Sequence, residues 1–216
     1  MKKIFIETKY QGTVDLPKDL LNDLPQKVMV ATTIQFIDCL REVKEKLSAF
    51  GKEVYFFQSM HSRTPGQILG CDNFKIKSGI EAFLYIGDGE FHPTALLANE
   101  LPIFCFNPLS EQWKKFGRKE WEQAKLKKKV ALMKFHSASK VGILVSIKAK
   151  QRFLQGPAGK LKEELERKGK EVYVFLGNEL NEFSLNNYPF IECWVNTACP
   201  RISDDVEGMV NFRDLE

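Results

Sequence analysis

The sequence predicts an α/β protein: two tandem repeats of a small, mainly parallel sheet flanked by helices. Three observations predict it. Short continuous runs of Val, Ile, Phe, Tyr and Leu alternate with longer segments in which apolar residues recur every three or four positions, the pattern of buried strands interleaved with amphipathic helices. That alternation occurs twice along the 216 residues. Finally, Gly51-Lys52-Glu53-Val54-Tyr55-Phe56-Phe57 is echoed by Gly169-Lys170-Glu171-Val172-Tyr173-Val174-Phe175, each after a helical pattern, as expected for two copies of one structural unit. Alternating strands and helices imply parallel sheets with helices on their faces, and such sheets bind ligands at the carboxyl ends of their strands.

The elements follow in order. Residues 27–33 read as a buried strand. Phe36, Leu40, Val43, Leu47 and Phe50 then mark one face of a helix, which Gly51 ends as a C-cap. Residues 54–57 and 82–86 are the next strands, a helix starts at Pro93, and residues 102–106 close the first half. In the second half, residues 140–146 form a strand and a helix passes through Leu161 and Leu165 to the cap at Gly169. Residues 172–175 and 191–195 are its remaining strands. Between the halves, Trp113, Phe116, Trp121 and Ala124 are spaced as on an amphipathic linking helix. The division expected is residues 1–24 as the remnant of, or bridge from, a preceding domain, 25–109 as a middle α/β domain, 110–138 as the linking helix and 139–216 as a C-terminal α/β domain.

Composition narrows the class. Hydrophobic content of 44% and charged content of 28% are those of an ordinary folded chain. No apolar run approaches the ~18 residues of a membrane span, and the apolar stretch after Lys3 is too short for a signal peptide. A cytoplasmic location with no membrane partner is the expectation. The five cysteines, at 39, 71, 105, 193 and 199, are odd in number and include no CxxC pair; in that compartment each is a buried small hydrophobe, a reactive thiol or a metal ligand. The net charge is only +4, yet Lys114, Lys115, Arg118, Lys119, Lys125, Lys127, Lys128 and Lys129 crowd one segment. That segment is either the solvated face of a helix or a contact for an acidic partner or RNA.

Three segments carry candidate chemistry. Cys71 ends Pro65-Gly66-Gln67-Ile68-Leu69-Gly70-Cys71, and Cys199 sits in Asn196-Thr197-Ala198-Cys199-Pro200-Arg201-Ile202-Ser203. Both follow an extended segment and meet turn-forming residues, so both can lie at a strand's carboxyl edge, as equivalent positions of two repeats. They are either ligands of a shared cluster or two buried thiols. Cys193 and Cys199, six residues apart in an extended stretch, would be roughly 20 Å apart and could not share a cluster. Cys193 therefore reads as a packing residue; Cys39, on the helix stripe with Phe36 and Val43, and Cys105, inside a buried strand, read as packing residues by their places. In Ile86-Gly87-Asp88-Gly89-Glu90-Phe91-His92-Pro93 a strand runs through a glycine turn into a helix start, where free N–H groups can meet a carboxylate or phosphate. Asp88 would repel a phosphate but could hold an amine or a ribose hydroxyl. His92 is either structural or a contact.

Together Gly66-Gln67-Ile68-Leu69-Gly70-Cys71, Gly87-Asp88-Gly89-Glu90-Phe91-His92-Pro93, Val145-Ser146-Ile147-Lys148 and Ala198-Cys199-Pro200-Arg201 resemble, in order and spacing, the iron–sulfur subunit of diphthamide synthase, the 2-(3-amino-3-carboxypropyl)histidine synthase family. The strand Val30-Ala31-Thr32-Thr33-Ile34-Gln35 resembles that family too, and the likeness covers nearly the whole chain. It implies three copies of one α/β unit, each giving one cysteine to a central [4Fe-4S] cluster whose fourth iron binds S-adenosylmethionine. The cluster cleaves the cofactor, and a 3-amino-3-carboxypropyl group passes to a histidine of translation elongation factor 2. By the same resemblance, Cys71 and Cys199 are metal ligands, while Gln67, Gly87, Asp88, Gly89, His92, Ser146, Lys148 and Arg201 line the cofactor cavity. No catalytic residue is assigned. Relative to the family, the first domain and its cysteine are missing, since residues 1–38 contain none. The expectation is a transferase completed by another chain that supplies the first domain and third cysteine, in a homo- or hetero-oligomer. The alternatives are a non-catalytic partner subunit or a plain α/β ligand-binding module.

Overall fold

A computed structural model describes residues 6, 8–58, 62, 64–72, 75–76, 79–147, 155–177 and 182–215. The chain forms two compact units, Met1–Glu122 and Gln123–Glu216, each with its own sheet and core.

In the first unit, helix α1 (Lys18–Asp23) leads to β1 (Lys27–Thr32), then a 3-10 segment, Ile34–Cys39, runs into α2 (Leu40–Ala49). Strands β2 (Glu53–Phe56) and β3 (Ala82–Ile86), a second 3-10 segment (Pro93–Asn99), β4 (Ile103–Asn107) and β5 (Gln112–Phe116) follow. The strand order is β2-β1-β3-β4-β5; all pairs are parallel except β4–β5. Strands β1, β3 and β4 are buried on both faces. Val28, Val30, Leu84, Ile86, Phe104 and Phe106 pack against α1 and α2, while Met29, Phe83, Tyr85, Ile103 and Cys105 pack against Ile68 and Leu96. Continuous rather than alternating apolar runs are what a doubly covered parallel sheet demands.

Two differences from the expected organisation stand out. Residues 110–138 are not one linking helix: Trp113 and Phe116 lie on β5, an antiparallel edge strand of the first sheet. A three-residue spacing puts two side chains on one helix face but on opposite faces of a strand. Trp113 accordingly packs against one core layer and Phe116 against the other. Residues 14–24 are built into the first unit, with Val14, Leu16, Leu20, Leu21 and Leu24 in its core. The expected helix after β1 begins as 3-10 turns, and the one at Pro93 is 3-10 throughout.

Helix α3 (Arg118–Ser137) precedes the second sheet. There β6 (Lys140–Ser146), α4 (Gln155–Arg167), β7 (Glu171–Gly177), the short α5 (Glu182–Leu185), β8 (Cys193–Asn196), α6 (Ile202–Asp205) and β9 (Val210–Asn211) give the all-parallel order β7-β6-β8-β9. Val141, Ile143, Val145 and Val195 meet Phe135, Leu161 and Leu165 on one face; Leu144 meets Leu185, Val206 and Met209 on the other.

The sequence repeat is a structural repeat in detail. Gly51 and Gly169 take φ of 73° and 82°, the left-handed conformation that ends a helix without a Cβ penalty. The next amide, of Lys52 or Lys170, donates back to Leu47 or Leu165 at 3.0 and 3.1 Å. Lys27 pairs Glu53 in register as Lys140 pairs Glu171, and the hydroxyls of Tyr55 and Tyr173 donate to those same glutamates. The ammonium of Lys52 reaches the Leu24 carbonyl just after α1; that of Lys170 reaches the carbonyls of Phe135, His136 and Ala138 at the end of α3.

Candidate functional sites at the sheet carboxyl edges

In the first sheet the chain leaves β1 for β2 on one side and returns to β3 on the other. Loops beyond the carboxyl ends of β1 and β3 therefore diverge where strand order reverses, the place at which sheets of this kind commonly bind ligands. The Thr32 hydroxyl, fully buried, ties the two ends together by donating to the Ile86 carbonyl at 2.6 Å.

The segment from Gly66 to Cys71 is stitched onto this edge. Gly66 donates to Phe57 at 2.7 Å, Thr32 donates to Gly66 at 2.8 Å, and Ile68 donates to Thr32 at 2.8 Å. Gly66 cannot be replaced freely: its φ is 85°, and a Cβ would stand 2.3 Å from Leu40 Cδ1. Gln67 is buried beside Thr32. Asp72 closes the turn that carries Cys71, its carboxylate accepting from Leu69 N–H at 2.7 Å while its own N–H donates to Leu69 O at 3.0 Å. Cys71 is half-buried at this turn.

Gly87, Asp88, Gly89 and His92 lie beyond β3 on the same edge. A Cβ on Gly87 would stand 2.6 Å from the Tyr85 hydroxyl, and one on Gly70 would enter the Phe91 ring, so each of these two glycines makes room for an aromatic ring. Asn107 Nδ2 donates to Asp88 Oδ1 at 2.9 Å, and its own Oδ1 accepts from Leu109 N–H at 2.9 Å. The exposed carboxylate of Asp88 is thereby held on one side. His92 stacks on Tyr85 at 6.5 Å and meets Phe91 edge-on at 5.2 Å. Burial pushes its pKa down, which favours the neutral imidazole. The helix start expected at Pro93 offers less to an anion than the sequence suggests: the Thr94 and Ala95 amides already donate to Glu90 and His92, at 3.3 and 3.1 Å.

The second sheet has the same reversal between β6 and β8. Ser146, buried, ends β6. The buried Thr197 hydroxyl donates to Leu144 O at 2.6 Å, again tying the two strand ends. Cys199 is half-buried in the turn after β8. Arg201 pairs with Asp204 at 3.0 Å; burial pushes the Asp204 carboxyl up against the opposing pull of that guanidinium. A side-chain network not singled out by sequence surrounds this turn. Asn196 accepts from Ala198 N–H at 2.9 Å and donates to Cys199 O at 2.8 Å and to Asn211 Oδ1 at 2.9 Å. Asn211 donates to Ser203 Oγ at 2.8 Å, which donates to Pro200 O at 2.7 Å. The available signal was an asparagine at the end of an apolar strand, since a buried amide must be hydrogen-bonded. Lys148 lies outside the described residues.

Register corrects one expectation. Val28 pairs Ala82 in the first sheet and Val141 pairs Cys193 in the second. Counting six residues onward from each partner, Asp88 is the counterpart of Cys199. Cys71 instead belongs to the connection between β2 and β3. The two cysteines thus sit at the carboxyl edges of their own sheets but not at equivalent positions; the matching glycine-to-strand segments upstream suggested an equivalence that the longer connections do not keep.

The other three cysteines are buried. Burial pushes the Cys105 thiol up to about 12 and Cys193 up to about 11, and raises Cys39 as well. Such thiols are poor ligands and nucleophiles, because the thiolate is the reactive form. Among the described residues, no group of three or more His, Cys, Asp or Glu side chains could hold a metal ion, and no helix is long and apolar enough to cross a membrane.

The family model for diphthamide synthesis proteins matches residues 1–210. The chain is 35% identical over 196 residues to 2-(3-amino-3-carboxypropyl)histidine synthase of Pyrococcus horikoshii, covering 87% of this chain and 54% of that protein. It is 29% identical to 2-(3-amino-3-carboxypropyl)histidine synthase subunit 1 of Kluyveromyces lactis, covering 94% of this chain and 49% of that protein. It spans about half the length of these curated relatives. Among solved structures, Dph2 from Pyrococcus horikoshii with a 4Fe-4S cluster superposes with a TM-score of 0.76 at 30% identity, covering 91% of this chain and 58% of that one. With residues 1–210 matched by that family model and 91% of the chain covered by that structure, the chain belongs to the diphthamide synthesis protein family.

Proposed function

We propose that the chain supplies Cys71 and Cys199 as thiolate ligands of a [4Fe-4S] cluster in an enzyme of the first step of diphthamide formation. That enzyme transfers a 3-amino-3-carboxypropyl group from S-adenosylmethionine to a histidine of translation elongation factor 2. The observation that carries this reading is the partition of the cysteines. Three are locked in the cores with thiols held neutral, and the two half-buried ones each lie in a hydrogen-bonded turn at a sheet's carboxyl edge. Iron–sulfur clusters are held by such thiolates, so the donor set fits a share of a cluster.

When bound, the cluster supplies the electron that cleaves the cofactor's carbon–sulfur bond. The work of this chain is to bind and orient. Asp88, exposed and anchored by Asn107, suits an amine or ribose hydroxyl. His92, whose burial beside Tyr85 and Phe91 favours the neutral imidazole, can exchange hydrogen bonds with a ligand. Gly87 and Gly89 allow a ligand close to the backbone, and Gln67, Ser146, Lys148 and Arg201 complete the set assigned to the cofactor. A third thiolate comes from outside residues 1–216. Two accessible thiols also fit a second reading, a non-catalytic partner subunit of the same synthase.

Cysteine variants test the assignment. After anaerobic reconstitution in the co-purified complex, Cys71→Ala and Cys199→Ala each lose bound iron. Cys193→Ala retains it and loses only about 1–2 kcal/mol of stability, as for a small cavity in a core. Equal iron in all three variants would remove the ligand assignment and favour the non-catalytic subunit.

A further inference from the structure

We propose that Asn196 is the positioning residue for Cys199, its carboxamide fixing the Ala198–Cys199 backbone so that the thiol is presented at the sheet edge. The inference rests on the reading of Cys199 as a cluster thiolate.

Asn196 is 2% exposed, at the last position of β8. A buried carboxamide there is costly unless its donors and acceptor are satisfied. Its Oδ1 accepts from Ala198 N–H and its Nδ2 donates to Cys199 O, so one side chain grips the residue before the thiol and the thiol-bearing residue itself. The second Nδ2 proton goes to Asn211 Oδ1, which leaves the amide no freedom to flip. Asn211 in turn holds Ser203, and Ser203 holds the carbonyl of Pro200 on the far side of Cys199. Ile202 N–H also donates to Cys199 O, at 3.0 Å. The turn is thus restrained on both sides of the thiol while the thiol remains half-exposed.

The first unit bears independently on this role. By register, Tyr85 is the counterpart of Asn196, Cys105 of Asn211, and Asp88 of Cys199. Tyr85 directs its hydroxyl to the carbonyl of Asp88, three residues on, at a long 3.5 Å; Asn196 directs its amide to the carbonyl of Cys199, also three residues on, at 2.8 Å. Both units use this ladder position to restrain the same turn. Only the second has the short bonds and the Asn196–Asn211 pair, and only there does the turn carry a thiol.

The test uses Asn196→Leu, close to asparagine in shape but unable to make the three bonds, and the milder Asn211→Ala at a half-buried position. Amide hydrogen exchange on the full chain is the first readout. Exchange at Ala198 N–H should accelerate roughly tenfold in Asn196→Leu, the scale of one lost hydrogen bond, and less in Asn211→Ala. Thr197 N–H, bonded to Leu144 O, should stay protected, whereas general loosening of the sheet would accelerate both. The second readout is iron retained, and the electron paramagnetic resonance of the reduced cluster, in the reconstituted complex. Iron should fall severalfold in Asn196→Leu, and the spectrum should shift in Asn211→Ala. Unchanged Ala198 exchange in both variants overturns the proposal, as does faster exchange with iron and spectrum unaltered while Cys199→Ser loses its iron. If Asn196→Leu does not fold, Asn211→Ala decides by the same criteria. Should Cys199→Ser keep its full iron, the ligand reading fails and this proposal falls with it, distinguishably from the previous outcome.

Discussion

Of the five cysteines, the side-chain environments divide three from two. Cys39, Cys105 and Cys193 are packed in the cores with raised thiol pKa values, as is the buried phenol of Tyr85. A group whose folded-state pKa is raised contributes stability that is complete below its unfolded value and is lost as pH climbs through the folded one. For Cys193 that window opens near the ordinary thiol value of 9.0 and closes at about 11. Denaturant unfolding should therefore show the protein weakening between about pH 9 and about pH 11, with Cys193 contributing on the order of 2 kcal/mol. In the native protein at mild pH, iodoacetamide should label Cys71 and Cys199, and reach the other three only after unfolding. The packing role of the three core cysteines was legible in the sequence from their places within apolar runs or on a helix stripe. The grip of Asn196 and Asn107 was not, because the apolar periodicity that marks strands and helices carries no sign of which groups a strand-end amide will bond.

Element by element, the strands were the most legible part of the sequence. Residues 82–86 and 140–146 were expected as strands and are β3 and β6, because burial on both faces forces unbroken apolar runs. Strand β5 was missed, since Trp113 and Phe116 at a three-residue spacing satisfy a helix stripe and a two-faced edge strand alike. Glycines let the local geometry be checked in opposite directions. Gly159 sits exposed within α4 with nothing within 4 Å of a built Cβ. Gly159→Ala should stabilise the second unit by up to about 1 kcal/mol, the helix-propensity difference. Gly66 needs a left-handed backbone and the space beside Leu40. Gly66→Ala should cost roughly 1–3 kcal/mol and loosen the turn carrying Cys71, lowering iron retention without altering any ligand. Thermal melts of the two variants should move in opposite directions.

Across the whole molecule, the proposed function turns on a count of thiolates. Each unit contributes one half-buried thiol at the carboxyl edge of its sheet, Cys71 in the first and Cys199 in the second, and a cluster held by three cysteines needs one more. A free chain reconstituted anaerobically should accordingly bind iron weakly and lose it on desalting, because a missing thiolate leaves iron to bulk solvent and labile ligands. On the reading that a separate chain supplies that thiolate, the chain drawn from its native host under the same conditions should bring down a partner that carries a small α/β domain and a cysteine, with about four irons per complex. Substituting that partner's cysteine should cost as much iron as Cys71→Ala or Cys199→Ala, since loss of any one of three ligands leaves the same deficit. Stoichiometric, stable iron in the free chain would instead mean that its own thiols suffice, and the partner requirement would fall. Neither iron nor partner would leave two well-formed α/β units whose edges serve a ligand other than a cluster.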